Sequence, residues 1–165
     1  MKKLLTLLAI SAIATFANAQ NETDKWFFGS GAALNFSSGS PVVISSPMYT
    51  SEGTATMSDA TGKLRFFTNG VDVYDSTKTI MPNGTGLMGD ISTTQSALIV
   101  PNPATSSQYY IFTAGADGVG DFRYSIVDMT LNGGLGDVMV ANKNVLLTDS
   151  ITEKIAAVRD GANGI

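Results

Sequence analysis

Three stretches of the chain carry one short pattern: Ser51-Glu52-Gly53-Thr54-Ala55-Thr56, Thr94-Gln95-Ser96-Ala97-Leu98-Ile99 and Thr152-Glu153-Lys154-Ile155-Ala156-Ala157. In each copy a hydroxyl residue and then Glu or Gln precede a segment of small and apolar residues. Convergent carboxylates from Glu52 and Glu153 would suit a cation or a sugar. They would also serve as acid and base in glycoside cleavage, which needs a separation of roughly 5–9.5 Å. One copy is Gln95, however, and a polar side chain repeated at equivalent sites serves first to satisfy backbone groups between neighbouring units. A structural role for Glu52, Gln95 and Glu153 is therefore the expectation.

A second group, Asp117, Asp121 and Asp128, surrounds the loop from Gly115 to Gly120. Oxygen ligands of this kind suit Ca²⁺. The spacing lacks the dense Asp/Asn alternation and distant Glu of an EF-hand loop. Aspartates that shape Gly-rich turns explain these positions without an ion, so no cofactor is expected and Ca²⁺ is the one ion considered.

Other chemistry is excluded by composition. The 165 residues contain neither His nor Cys, which removes a Ser-His-Asp triad, a Cys nucleophile, a Cys/His zinc site and a dithiol pair. With 14 acidic against 10 basic residues the net charge is −4, so there is no basic footprint for nucleic acid or an anionic membrane surface. Gly133-Gly134-Leu135-Gly136 has the glycines of a phosphate loop, but no Lys-Ser/Thr follows, and it reads as a turn. The 44% hydrophobic and 15% charged content is that of one globular domain.

The elements that must position these residues follow from the pattern along the chain. Lys2 and Lys3 precede the apolar run Leu4–Ile10, and Ala17-Asn18-Ala19 closes the segment. A positive start, a short apolar run and small residues at −3 and −1 predict a signal peptide over 1–19, cleaved between Ala19 and Gln20. The run is shorter than the roughly 20 residues of a membrane span. The export machinery is thus the first expected partner, and the secreted or outer-surface compartment the destination. No transmembrane segment is expected in the mature chain, 20–165, which must hold together without disulfides.

Short β-branched and aromatic runs alternate with Gly/Asn/Asp/Ser clusters throughout the mature chain, which predicts an all-β fold. Strands are predicted at 26–28, 33–36, 42–44, 54–58, 64–68, 71–74, 97–100, 109–113, 123–128, 145–147 and 154–158. Asp59-Ala60-Thr61-Gly62 predicts a type I turn with Gly62 at positive φ. Asn69-Gly70 predicts a two-residue hairpin leading into Val71. After the first two repeat copies comes an aromatic strand, Leu64-Arg65-Phe66-Phe67-Thr68 and then Tyr109-Tyr110-Ile111-Phe112-Thr113. The step from position 52 to 95, and the longer one from 95 to 153, are close to a propeller blade of ~40–50 residues with a variable insertion. The two architectures left open are an incomplete β-propeller of two to three blades of short antiparallel strands and a β-sandwich.

Several stretches in this order carry a family resemblance: Trp26-Phe27-Phe28-Gly29, Leu34-Asn35-Phe36-Ser37, the first repeat copy through Asp59, Leu64–Gly70, Met81-Pro82-Asn83-Gly84, Thr94-Gln95-Ser96, Tyr109–Thr113 and Leu131–Val138. Together they resemble the N-terminal propeller-like region of large secreted surface proteins of gliding bacteria. Those proteins carry PKD or other Ig-like repeats and a C-terminal gliding-motility-associated sorting domain for type IX secretion. The resemblance spans Trp26 to about Val158 and implies an N-terminal fragment of a larger exported protein. It implies a non-catalytic binding or structural module, for adhesion or matrix contact, with a surface glycan or protein as ligand. The alternative is the N-terminal part of a secreted propeller hydrolase acting on glycans or peptides, with catalytic residues beyond Ile165. The hairpin Ser58–Phe66 also resembles the Asp box of sialidase propellers, but its Asp59-to-Gly62 spacing is one residue longer. A sialidase further needs several arginines to grip a carboxylate, and the mature chain has Arg65, Arg123 and Arg159 alone.

Overall fold

A computed structural model describes residues 21–116 and 120–158. The predicted signal peptide with its cleavage residues Ala17, Ala19 and Gln20, and Asp117 in the candidate Ca²⁺ loop, lie outside the described residues. The fold is all-β: eleven strands form three antiparallel sheets, and the described helical turns are three-residue 3-10 turns.

The first sheet is β1 (Lys25–Phe27), β2 (Ala32–Asn35) and β3 (Val42–Ser45), in chain order. The second is β4 (Ala55–Ser58), β5 (Leu64–Thr68) and β6 (Val73–Asp75), extended by a single bridge from Tyr74 to Ile80. The third is β7 (Ala97–Pro101), β8 (Gln108–Ala114) and β9 (Gly120–Asp128). Two strands then pair with β9 at successive positions: β10 (Asp137–Val138) beside Val127 and Asp128, and β11 (Val145–Ile151) beside Gly120 to Tyr124. The fourth line of the third sheet is therefore split in two.

Side-chain alternation decides how the sheets stack. Successive strand residues point to opposite faces. On β5, Phe66 faces the third sheet and Phe67 the first; on β6, Val73 and Tyr74 divide in the same way. Phe27 of β1 stacks on Phe67 with centroids 4.1 Å apart, and Phe67 on Tyr74 at 5.0 Å. On the other side Phe66 meets Tyr109 edge-on at 5.4 Å, among Ala97, Ile99, Ile111, Val127 and Val138. The second sheet is thus covered on both faces, and each fully buried aromatic ring there is worth roughly 1.5–3 kcal/mol in transfer alone.

Turn chemistry sets the hairpins. The Asp59 carboxylate accepts the N–H of Thr61 (3.0 Å) and of Lys63 (3.1 Å), the Gly62 N–H closes onto the Asp59 carbonyl at 2.8 Å, and Gly62 sits at φ +78°. Asn69-Gly70 differs from its expected two-residue form. Thr68 pairs with Val73, leaving a four-residue loop, because Asn69 Oδ1 accepts the N–H groups of Val71 (3.0 Å) and Asp72 (2.8 Å) and so takes both off the ladder. The strand predicted at 154–158 does not form; that segment is irregular and is tied to Gln95 through the Ile155 N–H. No described helix is long and apolar enough to cross a membrane.

Candidate functional site

The first strands of the three sheets lie in series, β1 beside β4 and β4 beside β7. Where they meet, the links are side chains bonded to backbone rather than a ladder. Thr56 Oγ1 accepts the Phe27 N–H at 3.1 Å while Thr54 Oγ1 donates to the Phe27 carbonyl at 2.9 Å. One step on, Ser96 Oγ donates to the Gly53 carbonyl at 2.7 Å, and the Gly53 N–H reaches the Thr93 carbonyl at 3.1 Å. A Cβ at Gly53 would stand 2.3 Å from the Ser96 nitrogen, so the second copy approaches as closely as it does only because the first carries glycine.

The third copy continues the series. The Gln95 N–H donates to the Glu153 carbonyl at 3.1 Å, Gln95 Oε1 accepts the Ile155 N–H at 2.9 Å, and the Glu153 carboxylate accepts the N–H (3.0 Å) and hydroxyl (3.1 Å) of Thr94. Gln95 and Glu153 are thus brought together, each spent on the backbone of the other's segment. Glu52 is exposed and contributes its N–H, to the Ile91 carbonyl at 3.1 Å. A cleft of about 320 Å³ follows this seam between β4 and β7, lined by Thr54, Thr56, Thr94, Gln95 and the small residues around them.

The aspartates are acceptors for turns. Asp59, Asp75, Asp90 and Asp128 each accept both the N–H and the hydroxyl of the Ser or Thr two residues on: Thr61, Thr77, Ser92 and Thr130. The Thr61 hydroxyl first, then the N–H groups of Lys63 and Thr61 and the charge of Arg65, hold the Asp59 carboxyl below its ordinary 3.8. The Ser92 N–H and hydroxyl lower Asp90, and Gln108 with Thr130 lowers Asp128. Asp72 moves the other way, raised by burial, and the Tyr74 phenol is raised by burial and by Asp72.

Of the candidate Ca²⁺ ligands, the two among the described residues, Asp121 and Asp128, are not brought together. Asp121 and Asp128 stand at opposite ends of β9, about 20 Å apart at the rise of a strand. Asp121 is held by Arg123 through Nε at 3.1 Å and through Nη2, and Asp128 receives Gln108 Nε2 at 3.0 Å. No group of three or more His, Cys, Asp or Glu among the described residues is placed to hold a metal ion.

Two features escaped the sequence reading. Asp75-x-Thr77 repeats the Asp59-x-Thr61 spacing and builds the same turn, with Lys78 at φ +69° where the first turn has Gly62. The buried Asp137 carboxylate receives the N–H of Asn83 at 2.8 Å and its Nδ2 at 2.6 Å, an exchange between residues 54 positions apart with no local signature. Comparison with protein-family models, with curated proteins and with solved structures finds no match.

Proposed function

We propose that the chain is a non-catalytic binding and structural module of an exported bacterial surface protein, built as the opening blades of a β-propeller. One observation carries the reading. The first strands of three consecutive meander sheets lie in series, and at each seam polar side chains of the repeat segments are spent on a neighbour's backbone: Thr54 and Thr56 on Phe27, Ser96 on Gly53, and Gln95 on Ile155. That is how blades arranged about an axis would be joined, and it gives Gln95 and Glu153 an architectural use in place of acid-base work. The predicted signal peptide puts the module outside the cell, and the family resemblance adds type IX export, with adhesion or matrix contact through a glycan or protein ligand.

The test is made on the native secreted protein. N-terminal sequencing should begin at Gln20, and immobilised surface glycans and proteins should retain the protein without being cleaved. Turnover of a glycan or peptide that disappears in Glu52→Gln, with the fold intact, would overturn the reading in favour of a hydrolase.

A further inference from the structure

The third sheet has a second face. Cross-strand pairs place Leu98, Phe112 and Tyr124 side by side on it, and Val100, Tyr110 and Ile126 beside them. Phe112 stacks with Phe122 at 5.6 Å, and Tyr110 meets Tyr124 edge-on at 5.7 Å. The opposite face of the same strands carries Ile99, Ile111 and Val127 into the core against the second sheet. The outward face is therefore as apolar as the covered one; Val100 and Ile126 are buried on it, while Leu98, Tyr110 and Phe112 are only partly covered and line a groove of about 560 Å³. Ile155, Ala156 and Ala157 of the third repeat copy run along one side of that groove.

We infer that this face seats a fourth antiparallel sheet, supplied by polypeptide C-terminal to Ile165 and entered through Ile155. The inference rests on the reading of the sheets as blades, and two observations choose the occupant. The first is chemical: among the described residues the groove lining holds two polar groups, the Asn102 amide and the Tyr110 phenol, and no charge, so an ionic ligand has no partner there and a sugar too few. An apolar surface of matching shape is what the aromatic ladder would bury. The second is continuity with the two interfaces already built. Thr54 and Thr56 fasten β4 to Phe27, Ser96 fastens the start of β7 to Gly53, and Gln95 fastens the same region to Ile155. The third bridge sets the irregular segment from Ile155 beside the face, where the proposed sheet would supply the ladder partner it lacks.

Residues 1–165 contain no cysteine, so a thiol introduced among them reports its own surroundings once labelling of the unsubstituted protein is subtracted. Leu98→Cys and Phe112→Cys are placed in the native gene, with Ile111→Cys (0% exposed) as the buried reference and Val140→Cys (71% exposed) as the open one. Maleimide labelling of the secreted protein under native conditions is read together with its mass. The expected result is a monomer larger than the 17.2 kDa chain in which Leu98→Cys and Phe112→Cys label roughly 100-fold more slowly than Val140→Cys, the protection of a covered face. Labelling at the Val140→Cys rate would mean an open face and would overturn the inference. So would protection lost on dilution of a dimer, which would assign the groove to a second copy. If Phe112→Cys fails to fold, Leu98→Cys carries the test. An open face leaves the retention and turnover assays untouched, so the two readings fail separately.

Discussion

The second and third sheets are written in nearly the same letters and meet different fates. Phe66 and Phe67 on β5 are both fully buried, one against each neighbouring sheet. On β8 the adjacent residues Ile111 and Phe112 also point to opposite faces, but only Ile111 is fully buried and Phe112 lies on the groove. Binary pattern therefore reports what a strand is built to meet, whereas burial reports what meets it. Where the two agree, as on β5, apolar residues are structural; where they part, as on β8, the surplus marks a surface awaiting a partner.

The sharpest break of this comparison is Phe66→Ala. It should cost about 3–5 kcal/mol in chemical denaturation, because the ring leaves a cavity with both sides fixed. Asn83→Ala tests the polar tie on the covered side; it takes the Nδ2 donor from the buried Asp137 carboxylate, leaves the backbone N–H bond in place, and should cost about 2–3 kcal/mol. Gly53→Ala attacks the seam between β4 and β7 and should cost about 2 kcal/mol by overpacking against the Ser96 backbone, read as a lowered denaturation midpoint. Phe112→Ala, made in residues 20–165 alone, should cost about 1 kcal/mol or less, since the ring there is only partly enclosed. A loss as large as that of Phe66→Ala would erase the distinction between the two sheets.

The smallest effect is set by pH. Asp59, Asp90 and Asp128 have folded-state carboxyls below 3.8, so each contributes stability above that pH that is lost as pH falls through the folded value. Asp72, raised by burial, contributes in the opposite sense and is favoured at low pH. The three lowered carboxyls outnumber the raised one, so the denaturation midpoint should decline modestly below about pH 4. Asp72→Asn should deepen that decline, and Asp90→Asn should soften it.

The strand pattern was legible because aromatic and β-branched runs need little context. Ten of the eleven predicted strands exist near their predicted positions, β5 at its predicted bounds. The exceptions have physical causes. β10 is two residues between a glycine-rich turn and the 3-10 turn Val140–Asn142, too short to show a period. The run at 154–158 has strand composition, but a strand exists only where a ladder partner stands, and the Ile155 N–H instead takes the Gln95 amide oxygen. At the candidate site, the repeat of hydroxyl and Glu/Gln positions was visible in sequence. That Gln95 and Glu153 each bind the other's segment was not, because the segments meet only after folding.

One residue makes the far end of the stack observable. Trp26 is the only tryptophan in the chain, and it sits 52% exposed on the outward face of the first sheet, in register with Leu34 and Val43 and tilted against Phe36 at 5.1 Å. Its indole N–H is bonded to the Thr23 carbonyl at 2.8 Å, which fixes the ring against β1. Selectively excited, residues 20–165 therefore emit from a single, half-wetted chromophore at that end. A blue shift and loss of quenching by small solutes would register, without any label, the moment another surface closes over the first sheet.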